Sequence, residues 1–170
     1  MAEFQRILVG LDESDLGQAV FRQALDLAKS FHGQLHFLHV LQNPGPGITG
    51  AGAMSGFSDL GAYPIFADPS FWETQVQSQK EHAKHWLERY GALARDAGLV
   101  AGWSCQLGEA GLVLCETAKK HEADLIVLGR RGLSGLAEAL AGSVSNYVVH
   151  HAPCSVLVVQ AAAEDASASL

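Results

Sequence analysis

Residues 123–145 read ADLIVLGRRGLSGLAEALAGSVS, and this stretch decides how the chain folds. Leu125 to Leu128 is a short, unbroken apolar run with Ile and Val at its centre, the composition of a strand covered on both faces by helices. The run stops at Gly129. Gly132 follows after two residues and Gly142 after nine more, with Ser143 beside it and Ser145 just beyond, giving the spacing G-x2-G-x9-G-S. The pattern predicts a helix through Val144, Asn146, Tyr147, Val148 and Val149 with Ser143 as its N-cap. The unpaired N–H groups and the positive end of such a helix face the loop. Together with glycines that let a ligand close to the backbone, and hydroxyls at 143 and 145, this is the chemistry of a phosphate site.

Working outward, Gln5 to Leu11 and Leu35 to Leu41 read as the first two strands, joined by a helix that Ser14 can cap. In that helix Val20, Leu25 and Leu27 to Ala28 supply the apolar face. Asp68-Pro69-Ser70 opens a long helix to about Ala97, with Ser70 and Glu73 spaced as a capping box. Its apolar stripe is Trp72, Val76, Ala83, Trp86 or Leu87, Tyr90, Leu93 and Ala97. Val100 to Leu107, Glu109 to His121 and Ser155 to Val159 continue as strand, helix and strand. Strands alternating with helices imply a parallel sheet with right-handed crossovers, whose ligands sit at the carboxyl ends of the strands.

Between the second strand and the long helix, residues 42–67 carry six glycines, three prolines and one charge, Asp59. They read as an inserted loop, either a lid over the site or a surface excursion. Residues 161–170 read as a frayed tail. The expected organisation is one domain, residues 1–160.

The chain has 170 residues, 48% of them hydrophobic, and a net charge of −7 that repels nucleic acid. No apolar run is long enough to span a bilayer, and the first residues enter a strand without an export signal. A cytoplasmic protein is expected. Cys105, Cys115 and Cys154 form no C-x-x-C pair and read as reduced, buried thiols. His82 with His85, and His150 with His151, lack the third and fourth converging ligands of a metal site, so no protein-held metal is expected.

Gly129, Gly132, Gly142 and Ser143 resemble the ATP-binding motif of the universal stress protein family. The likeness extends through ILVGLDES (7–14), HEADLIVLG (121–129) and HHAPCSVLVV (150–159). It implies an open five-stranded parallel sheet of order 3-2-1-4-5 with helices on both faces, a Rossmann-like α/β fold. It also implies residue roles. Gly10, Leu11, Asp12 and Val40, with Leu128 and Gly129, would meet adenine and ribose. Gly132, Gly142, Ser143, Val144 and Ser145 would hold the phosphates, with Arg130 or Arg131 adding positive charge. The ligand would be ATP, or ADP or AMP, with magnesium carried on the phosphates. The family resemblance further implies a homodimer paired through residues 155–159, working as a nucleotide-dependent switch of the stress response on some protein client.

Three departures from the family pattern are Gly10, where the family often has a proline or another residue, Ala110-Gly111 in place of a proline that commonly starts the third helix, and the inserted loop, which could alter access to the site. Rival readings are a slow ATPase or autophosphorylating enzyme, and a structural dimer without nucleotide. No Walker lysine and no carboxylate–histidine pair beside the loop marks a catalytic residue. The turn 11–14, Leu-Asp-Glu-Ser, lacks the serine–glycine loop of adenylating folds.

Overall fold

A computed structural model describes residues 4–42, 69–130 and 142–160, the side chains of 69–71 excepted. The inserted segment from 43 onward, the tail and most of the glycine loop, including Arg131 and Gly132, therefore lie outside the described residues. The strands are β1 (Arg6–Gly10), β2 (Gln34–Leu41), β3 (Ala101–Leu107), β4 (Leu125–Arg130) and β5 (Ser155–Gln160). The helices are α1 (Asp15–Phe31), α2 (Pro69–Asp96), α3 (Ala110–Lys120) and α4 (Ser143–His151). All strand pairs are parallel and the order is β3-β2-β1-β4-β5, as expected.

Alternation along β1 divides the core in two. Ile7 and Val9 point to one face, where Val20, Phe21, Ala24 and Ala28 of α1 and Ala83, Trp86, Leu87 and Ala94 of α2 cover them. Leu8 points to the other, against Val113, Leu114 and Ala118 of α3 and Val148 of α4. Among the described residues two helices lie on each face, which is what right-handed crossovers give when the chain first winds from β1 to β3 and then returns to β4 and β5. Each fully buried aliphatic side chain contributes about 1.5–3 kcal/mol.

Several local expectations need correcting. β4 runs on through Gly129 to Arg130, pairing with β5 as far as Gln160, so Gly129 lies inside the strand. Leu25 and Leu27 only flank the buried face of α1, which is Gly17, Val20, Phe21, Ala24 and Ala28. α2 begins at Pro69, which puts Ser70 inside the first turn instead of capping it. Leu93 falls off the buried stripe of α2 and is 52% exposed, while Ala94 takes the inward place. Cys115 is buried and Cys105 and Cys154 half-buried; all three are free thiols, which burial pushes up in pKa and so makes poor nucleophiles.

At the amino end of the sheet, His36 on β2 has its Nε2 2.8 Å from Ser104 Oγ, and its ring lies 4.3 Å from that of His121 at the end of α3. Burial first, and then the positive charge His121 can carry, lower the His36 pKa from 6.5 to about 4. An unfolded chain therefore takes up this proton below about 6.5, whereas the folded one resists until about 4. The stability this group supports is present above 6.5 and is lost as pH falls through that window. The melting temperature should drop from pH 7 to pH 5, and drop less in His36→Gln. An equal drop in the two proteins would show that His36 titrates alike folded and unfolded.

Candidate functional site

β1 ends sooner than the strands beside it. Gly10 is level with Leu38, but β2 continues to Leu41; Val9 is level with Val127, but β4 continues to Arg130. The missing end of β1 leaves a cleft of about 520 Å³ at the point where the strand order reverses. Gly10 lines it from the end of β1, Leu11 and Asp12 from the turn that follows, Val40 from β2, Leu128 and Gly129 from β4, and Gly142, Ser143, Val144 and Ser145 from the cap and first turn of α4. These are the residues singled out from the sequence, apart from Arg130, which ends β4 but does not line the cleft, and Arg131 and Gly132, which lie outside the described residues.

The chain leaves β1 through a tightly held turn. Ser14 Oγ donates to the Asp12 carboxylate and accepts from Gly17 N–H at 3.1 Å, so one hydroxyl both caps α1 and orients Asp12. A Cβ at position 17 would collide with the Asp12 carbonyl oxygen and lie 2.9 Å from its Oδ1. Glycine at 17 is thus a condition of placing Asp12 at the mouth of the cleft. Gly17 carried no motif in the sequence, and only the packing reveals it.

The other cleft glycines have different reasons to be glycine. A Cβ at Gly129 would sit 2.8 Å from Leu16 of α1, and one at Gly10 would sit 3.2 Å from Leu114 of α3. Both positions admit helices rather than ligand. Gly111, at the departure from a proline, similarly clears 2.8 Å for Tyr147 and lets α3 and α4 approach. Gly142 differs. Its backbone (φ −41°, ψ 129°) suits any L-residue, and among the described residues the nearest atom to an added Cβ is Ser145 Oγ at 3.6 Å. Nothing within the described fold demands glycine there.

The N-cap of α4 is Gly142, one residue before the expected Ser143, which is instead the first helical residue. The capping group is absent from the side chains. Ser145 Oγ instead donates to the Gly142 carbonyl at 3.0 Å and is buried, so its hydroxyl is occupied in its own turn. The first intrahelical bond is Asn146 N–H to Gly142 O at 3.0 Å. The N–H groups of 143, 144 and 145 precede it and point with the helix dipole toward the cleft. No Lys or Arg stands among the described lining residues, and Asp12 is their only carboxylate. An anion here would be held by backbone donors.

His39 also lines the cleft, from the face opposite Val40. Its Nδ1–H donates to the Leu11 carbonyl at 2.8 Å, and its ring meets Trp86 edge-on at 5.0 Å. Strand alternation placed it within reach of sequence reasoning, since Val40 and His39 must face opposite ways. Leu16, Val20, Leu38 and Leu114 complete the apolar walls, and their runs gave no sign of this double duty. Among the described residues no three His, Cys, Asp or Glu converge as a metal site, and no helix is long and apolar enough to cross a membrane.

The model of the universal stress protein family matches residues 3–160. Universal stress protein Sll1388 of Synechocystis sp. is 35% identical over 157 residues, 92% of this chain and 98% of the relative. Among solved structures, universal stress protein UspA from Lactobacillus plantarum superposes with a TM-score of 0.71 at 26% identity, covering 94% of this chain and 99% of its own. A universal stress protein family structure from Arabidopsis thaliana with AMP bound gives a TM-score of 0.59 at 20% identity, over 92% of this chain and 91% of its own.

The glycine geometry separates two substitutions. Gly17→Ala forces a side chain into a backbone carbonyl and should cost about 1–3 kcal/mol, while Gly142→Ala should cost about 1 kcal/mol or less, as a weakened cap. Urea unfolding midpoints of the two variants measure the difference. Equal losses would mean that position 142 is as constrained by the fold as position 17.

Proposed function

Since the chain belongs to the universal stress protein family, we propose that it binds an adenine nucleotide in this cleft, as a regulatory ligand of a stress response. Gly142 carries the reading: a glycine that nothing among the described residues requires, at the mouth of a helix whose first N–H groups face a cavity of nucleotide size. The base and ribose take the apolar end beside Gly10, Val40 and Leu128, and the Asp12 carboxylate accepts from a ribose hydroxyl. The phosphates take the N–H groups of Gly142, Ser143, Val144 and Ser145, with Arg131 and Gly132 completing the loop. The AMP in the Arabidopsis thaliana relative supports the choice of adenine nucleotide. ATP with magnesium on its phosphates is the fullest ligand this arrangement accepts, ADP and AMP being shorter versions of it.

The nucleotide acts as a signal and not as fuel. With no lysine on the described lining and the His39 Nδ1–H engaged by Leu11, little is placed to drive phosphoryl transfer. Its occupancy would govern a protein client, in the cytoplasm where adenine nucleotides abound. Residues 1–160 act as one domain, with 42–67 as an insertion.

Mg-ATP and AMP titrated calorimetrically into Gly142→Val and Ser143→Ala test the site. Gly142→Val should abolish binding while circular dichroism stays native, because the new side chain occupies the phosphate position. Ser143→Ala should lose about 0.5–1.5 kcal/mol, one hydroxyl bond, since Ser143 is not the cap and the backbone donors remain. A folded Gly142→Val that binds like the parent would move the phosphates elsewhere.

Dimerisation belongs to the same reading. Among the described residues β5 is hydrogen-bonded on one side only, by β4, and Val156, Leu157 and Val158 are only partly buried. Val149 on the adjoining α4 is 54% exposed. An apolar edge strand of this kind is normally paired, and a second copy meeting it across a two-fold axis would pair it. Sedimentation at micromolar concentration should return a dimer, and a monomer with and without ATP would contradict the arrangement.

A further inference from the structure

On the far side of the β1–α1 turn, between α1 and α2, the surface sinks into a hollow of about 400 Å³. Its interior is aromatic. Phe21 and Trp86 are buried and Tyr90 half-buried, with Tyr90 4.6 Å from Phe21 and 5.9 Å, at 89°, from Trp86 between ring centroids. Its rim is cationic. Arg22 and Arg89 are both exposed there, and among the described residues neither forms an ion pair or hydrogen bond. Glu13 shares the rim, but its carboxylate is engaged by His82 Nε2 at 2.6 Å. Arg22, Arg89 and Tyr90 line the hollow together, and the Tyr90 phenol is raised in pKa by burial first, with Arg89 and Arg22 opposing that shift and Glu13 and Asp12 adding to it.

On a chain of net charge −7, two guanidiniums with no ion-pair or hydrogen-bond partner among the described residues, both lining one aromatic hollow, are a specific arrangement and not a general surface character. A guanidinium presents a planar fork matched to a carboxylate. Aromatic walls favour a flat ring, stacked or edge-on, about 4.5–7 Å from their centroids. An aliphatic acid would leave the rings unused, and a neutral aromatic would leave the guanidiniums unused. The volume is within the usual range for small-molecule sites, about 300–1,000 Å³. We infer that this hollow is a second ligand site, separate from the cleft, for a flat aromatic carboxylate whose ring lies against Tyr90 and Trp86 and whose carboxylate is held by Arg22 and Arg89. The inference is independent of what fills the cleft.

The test is calorimetric titration of the full chain with 2-naphthoate and with its neutral isostere, 2-naphthamide. Saturable binding of one naphthoate per chain is expected, at least tenfold tighter than the amide. The double variant Arg22→Gln, Arg89→Gln, at two exposed positions, should weaken naphthoate at least tenfold and bring acid and amide level. Gly142→Val, which alters the cleft, should bind naphthoate like the parent. No saturable binding, equal affinity for acid and amide, undiminished binding by the double variant, or loss in Gly142→Val would each overturn the proposal.

Discussion

The early end of β1 is the constraint on which the site depends. Its neighbours outrun it on both sides, so the centre of the sheet is notched where its carboxyl edge would otherwise be level. The notch persists because the chain turns away at once, through Asp12, Ser14 and Gly17, and this turn has little freedom. The Ser14 hydroxyl is shared between Asp12 and the start of α1, and position 17 tolerates no side chain against the Asp12 carbonyl. α1 then packs its first turns against β4 at Gly129, while α3 packs against Gly10 from the other face. The same contacts that stabilise the core therefore also shape the cleft.

In the proposed reading, anion binding in this cleft would rely on geometry more than on charge. The described lining holds one carboxylate and no Lys or Arg, in a protein that is acidic as a whole. Phosphate affinity would come from N–H groups fixed by the first turn of α4 and from the helix dipole. Such donors need no side-chain ordering on binding, and they hold a ligand without activating it. In the proposed reading, the acidic surroundings would favour a phosphate whose charge is shared with magnesium.

Much of the fold was legible in the sequence because its physical cause is local. The apolar runs at 7–11, 35–41 and 125–128 mark doubly covered strands, and Ser14 before α1 is a cap in fact as in pattern. The strand order came from family resemblance and not from the residues themselves. The glycines were legible as a set but not in their reasons: Gly129 and Gly10 make room for Leu16 and Leu114, contacts that exist only once helices pack. The cap of α4 was misplaced by one residue because Gly142 and Ser143 are both acceptable caps, and the Ser145 bond back to the Gly142 carbonyl is invisible in a linear pattern. Gly17 and His39 went unassigned since neither belongs to a spaced motif; their roles arise from a turn and from the parity of a strand.

Backbone amide resonances offer the most direct test of the central claim, that the first turn of α4 holds the phosphates while the notch above β1 holds the nucleoside. In a ¹⁵N-labelled protein titrated with adenosine and, separately, with AMP, adenosine should shift the amides of Asp12 and Val40. AMP should shift those and, in addition, the amides of Ser143, Val144 and Ser145. Identical shifts from the two ligands, with 143–145 unmoved, would show that the phosphates do not rest on this helix.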